Sequence, residues 1–318
     1  MDDKVSVIIN CFNGDEYLRQ AIESVYSQTY QNWEIIFWDN CSNDNSSSIA
    51  NSFDNRLKYF FSKKKTTLSE ARKLAVSKST GKWIAFLDTD DFWFEDKLLL
   101  QMEKLKNTNF IVCYGGVNEV SESGRLIRSI VPKYPDGNQL KDHLKQFDIN
   151  MVTPIIRKKA LEENNINFDE KIVASEEYNI FMKLACVGEF CTINKVLGVW
   201  RIRLNSLTNQ SIAFWSKDRK YTLNQLKRIM PNIEEKFPEE YSYALATADY
   251  YEARFLIDSK KYFQARQIMY KIKTYSFTFF FLWLISYVPF FWNVLHEESV
   301  KRFLSANLLR KSKTKNNN

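Results

Sequence analysis

Histidine is nearly missing from this sequence: only His143 and His296 occur in 318 residues. That leaves both a His-rich zinc centre and a His-based triad with poor support. Cysteine is sparse as well. The five residues Cys11, Cys41, Cys113, Cys186 and Cys191 are odd in number and show no Cys-x-x-Cys spacing, the pattern of free thiols in a reducing compartment. Two phosphate-binding signatures are missing: Gly-x-Gly-x-x-Gly after the first apolar run, and Gly-x-x-x-x-Gly-Lys-Ser/Thr anywhere. Their lack points away from dehydrogenases and P-loop kinases. A diphosphate bound here would be neutralised by a metal and cationic side chains instead of a glycine loop. The opening Met1-Asp2-Asp3-Lys4 carries no basic segment ahead of an apolar one, so export by a signal peptide is not expected.

What is present fits a folded chain: 45% of residues are hydrophobic and 15% aromatic. The net charge of +7 and pI near 8.9 fit an anionic partner, whether nucleic acid, phospholipid or phosphorylated substrate. No interleaved basic and aromatic motif or zinc spacing supports the nucleic acid. Short apolar runs at 5–9, 33–38, 57–61, 83–87 and 110–114 read as strands. Helical spacing separates them, as in Leu18, Ala21, Ile22 and Val25, and a helix is expected over 94–105. Strands alternating with helices predict a mostly parallel sheet with helices on both faces. Turn residues thicken between 116 and 170. A helix over 175–187 and short strands over 190–193 and 196–202 close a first domain near residue 210, with halves 1–115 and 116–210. Residues 211–273 read as helical and charged, with a hairpin turned at Asp258-Ser259-Lys260. Residues 274–318 hold an uncharged aromatic stretch (274–295) and a basic tail.

Three polar clusters fall at the carboxyl ends of predicted strands, where open α/β sheets bind ligands. They are Asn10-Cys11-Phe12-Asn13-Gly14, Asp39-Asn40-Cys41-Ser42-Asn43-Asp44 and Asp88-Thr89-Asp90-Asp91. A lone acid after a strand is usually a helix cap or turn former. Three clusters on one rim are harder to explain that way. In the third, carboxylates spaced i, i+2 can approach one hard cation, Mg²⁺ or Mn²⁺, that finishes its shell with water and phosphate oxygens. Asp90 is the expected metal ligand, and Asp91 is expected to cap the helix that follows.

These segments resemble family 2 glycosyltransferases. The likeness rests on Val5-Ser6-Val7-Ile8-Ile9-Asn10-Cys11-Phe12-Asn13, on Tyr17-Leu18 with Ala21-Ile22-Glu23-Ser24-Val25, and on Gln28-Thr29-Tyr30 with Trp33-Glu34-Ile35-Ile36. Asp39 with Ser42 and Asp44, Ala71-Arg72, and the run from Gly81 to Asp91 extend it, so that it covers about residues 4–210. The resemblance implies a GT-A fold, Rossmann-like and followed here by a helical region. It implies a nucleotide-sugar donor, a divalent cation and inverting transfer of a hexosyl or N-acetylhexosaminyl group. Asp39 then resembles the acid that recognises base or ribose, with Cys11 and Phe12 lining the base pocket and Arg72 near base and diphosphate. Asp88, with Thr89, resembles the ribose or diphosphate side of the site. Glu176-Glu177 stands where the family usually has Glu-Asp, which makes Glu177 the general base and Glu176 its neighbour at the acceptor side. Trp200-Arg201-Ile202-Arg203 followed by Asn205-Ser206-Leu207 resembles a segment usually ending in histidine. Arg203 replaces that histidine: it cannot ligate metal but can bond phosphate oxygens through its guanidinium fork.

By the same likeness the donor is a UDP-sugar and the acceptor a glycan or lipid-linked oligosaccharide of a bacterial cell surface. The expected place is the cytoplasmic face of the plasma membrane. The 22 uncharged residues 274–295 would reach roughly 33 Å as one helix, but Pro289 interrupts them and aromatics crowd them. An in-plane segment with peripheral membrane contact, a true span and a buried core all remain open. Competing readings are a GT-A-like domain that binds nucleotide sugar or glycan without turnover, and a sugar nucleotidyltransferase. The presence of both Asp90 and Glu177 argues against the first, and the missing glycine-rich opening against the second.

Overall fold

The computed structural model describes residues 3–203, 212–288 and 290–292. Asn205-Ser206-Leu207 and the basic tail lie outside the described residues. The first half alternates as expected: β1 (Val5–Cys11), α1 (Asp15–Tyr26), β2 (Trp33–Asp39), α2 (Ser46–Ala50), β3 (Leu57–Phe61), α3 (Leu68–Ser77) and β4 (Trp83–Phe86). β2 is buried along its whole length, as a strand covered on both faces must be. In α1, Leu18, Ala21, Ile22 and Val25 are the buried positions, spaced to form one face. α3 starts on a Thr67-x-x-Glu70 cap, the Thr67 hydroxyl oxygen accepting the Glu70 N–H at 3.2 Å.

The sheet order is β3-β2-β1-β4 and then β8-β6-β9-β5, with β7 on the side of β6. Here β5 is Phe92–Trp93, β6 Val112–Ser121, β7 Leu126–Ile130, β8 Ile155–Arg157 and β9 Phe190–Ile202. The four strands of the first half pair in parallel. The second half is mixed: β8 runs antiparallel to both β4 and β6, and β6 runs parallel to β9. After β1 the chain builds outward through β2 and β3, then crosses to the other side of β1 for β4. The crevice where those directions part lies beyond the carboxyl ends of β1 and β4, the position where ligands enter such sheets.

Several boundaries differ from the sequence reading. Residues 92–93 pair with Val199 and Gly198 of β9, so the helix expected from Phe94 begins instead at Lys97 (α4, Lys97–Leu105). The strand expected to end at Tyr114 runs on to Ser121. The two short strands expected over 190–202 are one strand, its register against β6 shifted around Gly115 and Gly116.

Helices α5 (Leu140–Lys145), α6 (Lys158–Glu163) and α7 (Glu176–Val187) fill the second half. Then come α8 (Ile212–Ile229), α9 (Ile233–Lys236) and the expected hairpin of α10 (Pro238–Asp258) and α11 (Tyr262–Ile272), followed by α12 (Phe277–Ile285). One face of the sheet packs on α1 and α4 around Val7, Ile35 and Leu98. The other packs on α3 and α7, and that core continues into Leu223 and Leu226 of α8 and Tyr241 and Ala244 of α10. A third core, Ala253, Ile257, Ala265, Met269, Phe279 and Trp292, belongs to the hairpin and α12. Among the described residues no helix is long and apolar enough to cross a membrane.

Candidate active site

The loops after β1, β2 and β4 meet at one rim. Asn13 sits in the left-handed region at φ 52°, which asparagine tolerates better than most residues. Its Oδ1 accepts the Asn43 N–H at 2.9 Å, and its own N–H donates to Ser42 Oγ at 3.0 Å, so the first two loops are stitched together. A Cβ on Gly14 would lie 2.7 Å from Thr89 Oγ1, so glycine is what lets the β1 and β4 loops touch. Asp39 is wholly buried beneath them. Its Oδ1 accepts the Ser42 N–H and its Oδ2 the Tyr59 hydroxyl, each at 2.7 Å. Of the pair expected to line the base pocket, Cys11 turns inward and donates to Ser46 Oγ at 3.2 Å, and burial pushes its thiol pKa up. Phe12 faces outward, 42% exposed, with the Lys65 ammonium 3.5 Å from its ring centroid.

The β4 loop carries the charge. Arg72, buried on α3, donates from Nη2 to Asp88 Oδ1 at 2.9 Å. Burial works against its cation, but Asp88, Glu176 and Glu177 outweigh burial and raise its pKa. Arg72 is therefore the electrostatic hub between Asp88 on the β4 loop and the first turn of α7. Asp90 is half-buried, and burial together with the Asp88 charge lifts its carboxyl to about 6. Among the described residues no three His, Cys, Asp or Glu side chains gather into a metal cage. The donor set fits an open site: Asp88 and Asp90, two hard oxygen ligands on one loop, suit Mg²⁺ or Mn²⁺ that shares its shell with phosphate oxygens.

Asp91 does not cap a helix. The two-residue strand β5 intervenes before α4, and Asp91 is buried with Oδ1 accepting the Arg201 N–H at 2.8 Å. Arg201 then clamps the whole loop. Its Nε donates to the Asp90 carbonyl at 3.1 Å, Nη1 to the Glu122 carbonyl at 3.3 Å and Nη2 to Gln20 Oε1 at 2.9 Å. Its guanidinium carbon lies 4.2 Å from the Tyr17 ring centroid. Arg203 pairs with Glu16 at 2.9 Å and Glu122 at 3.6 Å, and its positive charge acts on Asp90. Trp200 is half-buried against the core on the α1 side.

On the far side of Arg72, α7 presents Glu176 and Glu177 in its first turn. Burial raises both carboxyls, Glu176 to about 7, while Arg72 opposes the shift in both and Arg219 does so in Glu177. The approach to α7 is held from α8: Asp218 Oδ2 accepts the Val173 and Ala174 N–H groups at 3.0 and 2.7 Å. Sequence reading gave no role to Tyr17, Lys65, Arg201, Arg219 or Asp218. Tyr17 and Arg201 lie inside the segments that carried the family likeness, whereas Lys65, Arg219 and Asp218 gave no signal.

The sheet order, the switch at β1 and β4 and the helical addition define a GT-A-type fold, and solved structures agree. S. aureus TarS residues 1–349 superpose with a TM-score of 0.63 at 16% identity, over 90% of this chain and 87% of that one. A Pyrobaculum calidifontis mannosyltransferase in complex with GDP-Man and Mn²⁺ gives 0.54 at 15% identity, over 78% and 74%. The family described as Glycosyl transferase family 2 matches residues 6–164, and this chain belongs to that family. An uncharacterized glycosyltransferase of Rickettsia felis is 29% identical over 87% of this chain. The chain spans 46% of that relative's length, and less of two further Rickettsia relatives. The Escherichia coli protein WfgD, named a UDP-Glc:alpha-D-GlcNAc-diphosphoundecaprenol beta-1,3-glucosyltransferase, is 27% identical over 70% of this chain and 85% of its own length.

Proposed function

We propose that this chain is an inverting glycosyltransferase that moves a sugar from a nucleoside diphosphate sugar, UDP being the carrier, onto a hydroxyl of a glycan or lipid-linked acceptor. The product belongs to cell-surface polysaccharide, and the work is done on the cytoplasmic side of the membrane with peripheral membrane contact. One observation carries the reading: buried Arg72 joins Asp88 on the donor rim to Glu176 and Glu177 at the start of α7. A donor-side acid, a cation and a candidate base thus share one electrostatic unit. The UDP-GlcNAc complex of S. aureus TarS, which shares the fold, supports the donor class, and the name of WfgD supports the acceptor class.

In this scheme Asp39 and the stitched loops shape the base and ribose pocket and Phe12 offers a ring face to the base. Asp88 and Asp90 would hold Mn²⁺ or Mg²⁺, which would supply charge neutralisation for the leaving diphosphate. Arg203, the residue in place of a histidine, donates to diphosphate oxygens, and Arg201 keeps the Asp90 loop in shape. Glu177 takes the proton of the acceptor hydroxyl as that oxygen attacks the anomeric carbon from the face opposite the diphosphate.

The test is release of nucleoside diphosphate from a panel of donors with Mn²⁺, comparing the intact chain with Asp90→Ala. Loss of both turnover and Mn²⁺-dependent donor binding in a folded variant is the expected result. Undiminished turnover by Asp90→Ala would overturn the assignment.

A further inference from the structure

Apolar exposure in this molecule is concentrated at one place. Of the 18 large apolar side chains that stand exposed among the described residues, 11 lie between 263 and 291. A helix on a water-soluble domain turns its apolar stripe to the core and a polar face to solvent, whereas α12 is apolar on its outer side as well as toward the core. Phe277, Phe281 and Leu284 recur at i, i+4 and i+7 on its outer side, 83%, 48% and 46% exposed, and Val288 continues the stripe one turn later. Phe290 and Phe291 add rings that are 70% and 56% exposed. Phe279 and Trp292 turn inward against Tyr243 and Tyr250, with Leu282, Trp283 and Ile285 half-buried beside them.

The charges carried by the segment that forms this face have one sign. From Ser259 to Trp292 the sequence holds Lys260, Lys261, Arg266, Lys271 and Lys273 and no aspartate or glutamate. Two of these cations rest on aromatic rings of the same region: Lys273 Nζ lies 3.7 Å from the Tyr270 centroid and 4.3 Å from that of Trp283, and the Arg266 guanidinium 4.7 Å from that of Tyr287. The nine residues of α12 span about 14 Å, less than half a bilayer's hydrocarbon thickness.

We infer that α11, α12 and residues 286–292 form a docking face that lies flat on an anionic phospholipid surface, its rings at the headgroup level and its cations on lipid phosphates. Lipid suits every part of the face: aromatic side chains prefer the interface, and each nearby lysine or arginine gains from the negative surface potential. A second copy fits poorly, because a symmetric contact would bring five cations against five. The inference gives the peripheral membrane contact of the proposed function its surface and lipid class, and its failure would leave the sugar transfer itself untouched.

The experiment is cosedimentation of the full chain with vesicles of phosphatidylglycerol and phosphatidylcholine, or of phosphatidylcholine alone. Binding to the anionic vesicles that weakens with salt is expected. The variant Phe277→Ser/Phe281→Ser/Leu284→Ser should weaken it by at least about tenfold, and Lys260→Gln/Lys271→Gln by about fivefold per cation removed. All five side chains are exposed, so circular dichroism should show both variants folded. Three results would overturn the inference: no binding by the intact chain, equal binding to neutral vesicles, or binding that both variants retain. Self-association abolished by the same substitutions, without lipid binding, would replace lipid with a second copy.

Discussion

At the scale of single residues, the arrangement turns on carboxylates in unequal surroundings. Glu177 and Glu176 are neighbours in one buried turn, so the protons they release belong to the pair. If Glu177 is the base, Glu177→Gln should lower transfer by about two to four orders of magnitude and leave donor affinity near normal. Calorimetry beside product formation checks this, and matching losses in both would move the base to Glu176. Because burial lifts both carboxyls, the rate should rise with pH through a limb above the ordinary carboxylate range, with Glu176 near 7. Glu176→Gln removes the like charge. It should shift that limb to lower pH, and a pH–rate profile with an unmoved limb would mean that another group titrates there. The placement of Asp39, Asp88 and Asp90 at strand ends, and of the glutamate pair at a helix start, was legible in the sequence because each borders a clear apolar run. The bond from Arg72 to Asp88 was not, since residues 16 apart on different elements reveal no pairing.

At the scale of elements, β5 and α8 decide where these side chains stand; β5 escaped sequence reading, and α8 was expected as a helix but not as a brace for the site. Two residues are too few for a strand period, so 92–93 read as no more than the approach to the helix expected from Phe94. Only its partner β9, about 100 positions away, makes it a strand and turns Asp91 from a cap into an acceptor for the Arg201 N–H. The parallel half, by contrast, was readable because buried strands are continuous apolar runs. The role of α8 is tertiary: Asp218 satisfies two backbone donors just before α7. Asp218→Ala should therefore cost about 1 kcal/mol, the scale for hydrogen bonds lost at a partly exposed site, and should slow transfer by letting α7 drift. Thermal unfolding with activity measured on the folded fraction tests it. A variant as stable and as active as the parent would mean that α8 does not brace the site.

For the whole molecule, the first core does not stop near residue 210, where motif content ends; Leu223, Leu226, Tyr241 and Ala244 pack into it. A chain ending at 210 should be insoluble or melt without cooperativity. One ending at 273 should keep a cooperative transition, losing Phe279 and Trp292 from the third core only. Soluble yield and calorimetric melting of the two truncations separate these outcomes, and a well-behaved 210-residue fragment would contradict the shared core. The clamp on the Asp88–Asp91 loop also has a consequence in time. Arg201 leaves the ribosome 110 residues after Asp91, roughly 5–20 s later at ordinary elongation rates. Through that interval the nascent chain holds its parallel strands and its acidic loop but not the strand that shapes the loop. The final shape of the acidic loop is thus acquired late in synthesis, after the whole parallel half of the sheet has been translated.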